Sequence, residues 1–432
     1  VKTRIYLDNA ATSFPKPAAV WEAVAQFATQ NGSSPGRGQY AESREGARLI
    51  GLCRERIAML LHGGDAGARA LAKHVIFALN TSDSLNLAIK GVVRAHRLER
   101  GVSAPVTLVT TAMDHNSVLR PFAALAEEGA RVVHVEPEER TGIVQPAAMR
   151  RVLQELSHEG VCPTLVALNW VSNVSGTIQP IKELVQECKA IGAPTLVDVA
   201  QGLGHVPFDL REVGCDLVAF PGHKGLLGPQ GTGGLFIRPG FENKVATTRE
   251  GGTGSIAELD AQPLSMPERY EAGSHNTVGI VGLSEGVAYL LERTVEAVRE
   301  HELALIDVMV HELVSRGARF YADDESARVV EGPLSGVRVL GTRERHWRTG
   351  TFSLVHDQLS AAEIAMLLEQ QAGVLARAGI HCAPLAHRAF GTLDHATGRG
   401  AVRMSMGPFV SAEDVRVAVG ALAEICEQAL MA

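Results

Sequence analysis

Short apolar runs alternate with stretches of helical spacing through the first two-thirds of the chain. The runs are His74–Leu79, Pro105–Thr110, Arg131–Glu136, Thr164–Asn169, Thr195–Val199, Leu217–Phe220 and Gly234–Arg238. Between them lie amphipathic patterns such as Ser84–Ala95 and Pro180–Ile191. Strands alternating with helices predict an α/β fold, with a mostly parallel seven-stranded sheet covered on both faces.

From about Val278 to Val314 the pattern turns helical, and a new set of short strands follows. These are Ala318–Ala322, Gly336–Leu340, Gly350–Val355 and Ala401–Ser405, with a last helix from Ala412. The change of pattern predicts a large domain over residues 15–290. A smaller α+β domain would be built from residues 1–14 and 291–432. The charged stretch Asp323–Arg348 reads as a surface excursion.

Composition narrows the partners. The chain has 432 residues, 46% hydrophobic and 21% charged, an ordinary balance for a soluble protein. Its net charge of −7 gives no electrostatic reason to expect nucleic acid or a membrane surface. No run is long enough to span a bilayer and the start lacks the apolar core of a signal peptide, so the expected compartment is the cytoplasm. The six cysteines show no CxxC spacing, which argues against a disulfide framework or a structural zinc site. Cys53, Cys162, Cys188, Cys215 and Cys426 sit in apolar or helical contexts and read as inert small hydrophobes. Cys382, in "GIHCAP", stands apart: its surroundings suit a nucleophile, a metal ligand or a buried hydrophobe.

In a parallel sheet, ligands bind beyond the carboxyl ends of the strands. Asp198 closes one apolar run, where a carboxylate must find a cation or a donor; a cap or an ion pair would serve, as would a proton held on a ligand nitrogen. Lys224 follows His223 in the glycine-rich turn "GHKGLLGPQGTGG", which lacks the order of a phosphate-binding P-loop. A lysine partly desolvated there becomes an amine nucleophile, although a solvated charge is the commoner fate. Thr81 and Ser82 open a helix after a strand, a natural anion site that ordinary capping explains equally well. His115 and Asn173 also follow strand ends, and Arg403 closes a short strand with a guanidinium suited to a carboxylate.

Eight segments, in order, resemble the class V aminotransferases and, within them, the cysteine desulfurases. They are "YLDNAAT", "NTSDSLNLA", "MDHNSV", "SNVSGTIQPI", "LVDVAQ", "GHKGLLGPQGTGG", "RYEAGSHNT" and "RAGIHCAPLAHRAFGT". The resemblance implies a dimeric fold-type I enzyme carrying pyridoxal 5'-phosphate, with active sites at the subunit interface. Lys224 would hold the cofactor as a Schiff base and Asp198 would pair with its ring nitrogen. His115 would stack on the ring, while Gln201 and Asn173 would reach the ring hydroxyl and the substrate. Thr81, Ser82 and His223 would hold the phosphate, with Ser274 coming from the neighbouring subunit. Arg403 would take the substrate carboxylate beside Asn9, Ala10 and Ala11.

"RAGIHCAP" resembles the short catalytic loop of the second desulfurase group, which would make Cys382 the residue that receives sulfur as a persulfide. The implied reaction converts L-cysteine to L-alanine, with a sulfur-acceptor protein as a further partner. A selenocysteine lyase acting on L-selenocysteine, or another C–S lyase, carries the same motifs; a non-catalytic sulfur-relay protein is the reading from a different class. His381, His115 or the substrate could activate the thiol. The family has Ser or Thr three residues before the lysine. Pro221 stands there instead, which removes one phosphate bond.

Overall fold

All seven apolar runs of the first two-thirds form strands of one sheet in the computed structural model, which describes residues 4–254, 258, 260–323, 331–394 and 397–431. In chain order the strands are β1 (Ile5–Tyr6), β2 (Val75–Ala78), β3 (Thr107–Thr111), β4 (Arg131–Val135), β5 (Leu165–Asn169), β6 (Thr195–Asp198), β7 (Leu217–Pro221) and β8 (Gly233–Ile237). The remainder are β9 (Arg319–Phe320), β10 (Val337–Val339), β11 (Thr351–His356), β12 (Val374–Leu375), β13 (Arg377–Gly379) and β14 (Ala401–Ser405). The large sheet has the order β2-β8-β7-β6-β5-β3-β4, and only β8 runs antiparallel to its neighbours.

Position in the sheet explains the sequence pattern. Every residue of β5, β6 and β7 is buried, so these strands read as unbroken apolar runs. β4 lies at the edge and exposes Arg131 and His134, so its run is broken by polar residues. Two hydrophobic clusters cover the sheet, one of them including Val166, Val197 and Val218, the other Leu165, Leu196 and Leu217. Alternate residues of the same strands feed opposite faces.

Helices begin where these strands end. Asn80 caps Thr81–Arg100 by accepting from the Asp83 amide at 3.0 Å, and His115 caps Asn116–Glu127 by accepting from the Ser117 amide at 3.1 Å. Two helix N-termini therefore face the same edge, which concentrates free amides and positive dipole ends there.

The long helical stretch resolves into Thr277–Arg293 and Val295–Ser315. Thr294 breaks it with φ at 68°, and its hydroxyl caps the second helix by accepting from the Ala297 amide. Beyond lies a second sheet of order β13-β14-β11-β10-β9, over its own core of Leu305, Val337, Leu354 and Val419. β13 was not foreseen, because "RAG" carries no apolar alternation. The start of the chain joins this region: β1 pairs with β12, and Asp8 bridges to Ser405.

Asp323–Arg348 is only in part the surface excursion its charge implied: Glu331, Arg338 and residues 343–347 are exposed, but Val337–Val339 form β10 and Arg348 turns inward; residues 324–330 lie outside the described residues. Arg348 is fully buried, its guanidinium 3.6 Å from the centre of the Phe352 ring. It donates to the carbonyls of Thr342, Ser175 and Thr351, and burial pulls its pKa down to about 9, still a cation at neutral pH. Arg348 thereby ties the second sheet to the loop after β5.

Candidate active site

A cavity of about 330 Å³ opens at the carboxyl edge of the large sheet, lined by Thr81, Ser82, His115, Asn173, Asp198, Gln201, His223 and Lys224 among others. Eight of the residues singled out in the sequence thus converge on one space.

Lys224 lies in the turn between β7 and β8. The carbonyl just before it, that of His223, accepts from the Ser13 amide (3.0 Å), the Thr12 hydroxyl (3.0 Å) and the Lys16 ammonium (3.2 Å). Gly225, just after, is required: a Cβ there would stand 2.1 Å from the Leu203 carbonyl oxygen. Burial pushes the Lys224 ammonium down to about 8, with Arg403 and Arg377 adding repulsion and Asp198 and Cys382 opposing it. A lysine poised there holds far more free amine near neutrality than an ordinary one. Lys16, which sequence reasoning missed, is also desolvated and drawn down to about 8.

Asp198 is the last residue of β6 and is 5% exposed. Burial raises its pKa, against the Ala200 amide at 2.9 Å and the nearby Lys224 charge. Beneath His115, Asp114 is fully buried and accepts from the Thr110 and Thr111 hydroxyls and the Thr111 amide. Burial pushes it up to about 7, and the charge of Asp198 adds to the rise. Nothing in the spacing of "MDHNS" pointed to Asp114.

The His115 ring accepts at Nδ1 from the Ser117 amide, so its proton sits on Nε2. Burial, then Lys224 and Arg377, holds its pKa at about 3, which makes it a neutral imidazole at pH 7. Ser117 Oγ also lies 2.7 Å from Ser82 Oγ, linking the two helix N-termini. His223 is likewise neutral, pushed down to about 4 by burial and then by Lys224 and Lys16.

Arg403 is 1% exposed and donates from Nη2 to Asp8 at 2.7 Å and from Nη1 to the Asn173 carbonyl at 3.1 Å. Its Nε has no hydrogen-bond partner among the described residues. Asn9, Ala10 and Ala11 adjoin it: Asn9 Nδ2 and the Ala10 amide bind Ser405, and Gln201 Nε2 donates to the Ala10 carbonyl at 2.9 Å. Arg377 faces Arg403 in the register of β13 with β14. Arg377 opens the quoted "RAGIHCAP", yet its unpredicted strand hid its place beside Arg403. Ser274 does not line the Lys224 cavity; it is exposed beside a smaller one with Phe77, Leu79 and His275.

Cys382 is half-buried and follows β13 in a loop where both it and His381 adopt left-handed φ, 58° and 49°. Non-glycine residues in that region cost on the order of 1–3 kcal/mol each. The loop is clamped from the large sheet: Asn173 Nδ2 donates to the His381 carbonyl at 2.7 Å, and the Asn116 amide to the Cys382 carbonyl at 2.8 Å. Ala383 and, in the following short helix, Ala386 pack into the core of the large sheet. His381 is not a base for the thiol. It is 3% exposed, burial holds it at about 2, and its two ring nitrogens are engaged by Arg377 and His387. Of the other cysteines, Cys53, Cys188, Cys215 and Cys426 are buried and Cys162 is exposed. No cluster with metal-ligand geometry exists among the described residues.

Buried Asn169 Oδ1, Asn173 Oδ1 and His223 Nδ1 have no hydrogen-bond partner among the described residues, and all three residues line the cavity. Together with a buried carboxylate, a free amine and two helix N-termini, they fit a polar ring carrying a basic nitrogen, a carbonyl and an anionic tail.

A mostly parallel sheet with a desolvated lysine at its carboxyl edge, and a second sheet closing over it, defines the fold class. The aminotransferase class-V family model matches residues 5–417, and the chain belongs to that family. Among its relatives, a probable cysteine desulfurase of Methanothermobacter thermautotrophicus is 27% identical over 98% of this chain and 95% of its own. A probable cysteine desulfurase of Pseudomonas aeruginosa is 32% identical over 95% of this chain and 90% of its own. The solved apo structure of a cysteine desulfurase from Thermococcus onnurineus superposes with a TM-score of 0.82 at 27% identity, covering 98% of this chain and 95% of that one.

Proposed function

We propose that the protein is a pyridoxal-phosphate-dependent cysteine desulfurase that converts L-cysteine to L-alanine and receives the sulfur on Cys382. The observation that carries this reading is the meeting of Lys224, from the large sheet, with the strained Cys382 loop of the second sheet, close enough that Cys382 acts electrostatically on the Lys224 ammonium.

Lys224 would anchor the cofactor through its amine, Asp198 would hold the ring nitrogen protonated, and Thr81, Ser82 and His223 would take the phosphate. When bound, the cofactor supplies an electron sink for the charge left on the substrate α-carbon. Arg403 binds and orients the substrate carboxylate. Lys224 Nζ, with a pKa of about 8 against about 3 for His115, outcompetes the imidazole for the α-proton and is the base. His115 stays uncharged and lies against the ring. Cys382 Sγ attacks the substrate sulfur; the carbon–sulfur bond breaks, its electron pair stays on carbon, and that carbon takes up a proton to give alanine. One sulfur atom ends on Cys382, so thiol plus cysteine gives persulfide plus alanine and no outside oxidant is required.

The large domain would span 15–290 and the small one 1–14 with 291–432, with the site in the cleft between them. Ser274 is exposed beside exposed Leu79 and outside the Lys224 cavity, which supports a homodimer contributing that serine across the interface. A sulfur-acceptor protein would collect the persulfide from the half-exposed Cys382. No helix among the described residues is long and apolar enough to cross a membrane, and a thiol-based cycle suits the reducing cytoplasm.

The test is Cys382→Ala, read by visible cofactor absorption and by alanine and sulfide release from cysteine and, in parallel, selenocysteine. Retained absorption with lost release from cysteine supports the reading. Undiminished release from cysteine overturns it.

A further inference from the structure

We propose that His387, backed by Thr392, is a positioning residue that holds Cys382 in its left-handed conformation through a buried pair of neutral imidazoles. This rests on the reading of Cys382 as the sulfur-receiving residue.

His387 lies on the short helix Pro384–Ala389 that follows Cys382 and, like Thr392, is fully buried. The direction of every proton in the cluster can be worked out. The Arg377 carbonyl can only accept, so His381 Nε2, 3.3 Å away, carries a proton. In a neutral ring His381 Nδ1 is then a lone pair, and His387 Nε2, 3.3 Å from it, must donate. His387 Nδ1 is in turn left to accept, and the Thr392 hydroxyl supplies the proton at 2.7 Å in preference to the His387 carbonyl, the more distant acceptor at 3.3 Å. Burial and the nearby Arg403 keep both rings uncharged.

This chain of hydroxyl, imidazole, imidazole and carbonyl cross-links the loop from inside. It starts at the Arg377 carbonyl in β13, runs through the rings of His381 and His387, and reaches Thr392, whose carbonyl accepts from the Gly400 amide at the foot of β14. On the other side, Asn173 and Asn116 hold the carbonyls of His381 and Cys382. Two consecutive non-glycine residues stay in the left-handed region only while both sides hold. Without the His387 donor, His381 Nδ1 becomes a buried, unsatisfied acceptor, the ring turns, and the loop relaxes. The ring nitrogens of both imidazoles are hydrogen-bonded to Arg377, Thr392 and each other, and among the described residues neither is hydrogen-bonded to Cys382 Sγ, so the role is positioning.

The experiment compares His387→Ala, Thr392→Val and His387→Gln in the holoenzyme. Three quantities are read: alkylation of Cys382 by iodoacetamide without cysteine, kcat and KM for alanine release, and visible cofactor absorption. In His387→Ala the alkylation rate changes by about fivefold or more and kcat falls about tenfold, while KM and absorption hold. Thr392→Val moves the same quantities less. The Gln variant, whose side-chain amide can donate in place of Nε2, recovers most of the loss. The proposal is overturned if folded His387→Ala keeps alkylation and kcat within twofold, or if the Gln variant is as impaired as Ala. Should His387→Ala not fold, Thr392→Val decides by the same twofold limit. Alkylation is read without turnover, whereas failure of the desulfurase reading shows as alanine release from Cys382→Ala, so the two failures are separable.

Discussion

Lys224 and Cys382 come near one another from different sheets and by different structural means. Lys224 follows a fully buried strand of the large sheet, in ordinary backbone geometry, and its character comes from where it is: desolvated, beside two arginines and a carboxylate. Cys382 sits between two short strands of the small sheet in backbone that only glycine adopts readily, and its character comes from what restrains it. Two amide donors clamp its loop at the carbonyls of His381 and Cys382, and a buried imidazole pair cross-links it. An environment and a conformation are different devices, and they should fail differently: substitutions around Lys224 should alter chemistry and cofactor, those around Cys382 should alter sulfur transfer alone.

The largest expected effect breaks the first half. Lys224→Ala should lose covalently held cofactor and lower alanine release by about three orders of magnitude or more, measured by absorption after dialysis and by initial rates. Retention of both would refute the assignment of the base. Next comes the substrate clamp: Arg403→Ala should raise KM for cysteine roughly 10- to 100-fold, the loss of a charged, buried pair of donors, with cofactor absorption kept. Because Arg403 also binds Asp8 and the Asn173 carbonyl, a melting curve must accompany the kinetics.

The pH dependence of cofactor reloading sharpens the contrast. The amine reacts only when unprotonated, and burial has lowered Lys224 to about 8. Loading of the apoprotein should therefore rise about twentyfold from pH 6.5 to 8.5 and then level off. An unshifted lysine would go on gaining beyond pH 10, so a continued climb would show that burial does not tune this group. The smallest effect concerns Pro221. Pro221→Thr restores a hydroxyl at the end of β7 and should tighten cofactor binding by about threefold to tenfold in equilibrium titrations. No change would mean that Thr81, Ser82, His223 and the helix N-termini already satisfy the phosphate.

The same division governs what could be read from the sequence. The central strands of the large sheet were legible because burial on both faces forces continuous apolar runs, the edge strand β4 because its valines are interspersed with polar residues, and Asp198, His115, Asn173 and Lys224 could be flagged from their places at or after those runs. The small sheet was less legible. β13 is three residues of "RAG", too short and too mixed to carry a period, so the pairing of Arg377 with Arg403 was invisible. Arg348 was misplaced because charge normally marks a surface, whereas here three carbonyls and an aromatic face solvate it inside. Lys16, Asp114 and the His381–His387 contact depend on tertiary approach with no local signature. The catalytic motif at Cys382 could be recognised; the restraint that shapes it could not.

The most direct measurement is peptide mass spectrometry on the holoenzyme after brief exposure to L-cysteine without reducing thiol, run beside Cys382→Ala. The expected result is one added sulfur atom on the peptide holding Cys382, removed by dithiothreitol and absent from the variant, with stoichiometric alanine. Alanine released while Cys382 stays unmodified, or sulfur found on another cysteine in both proteins, would contradict it.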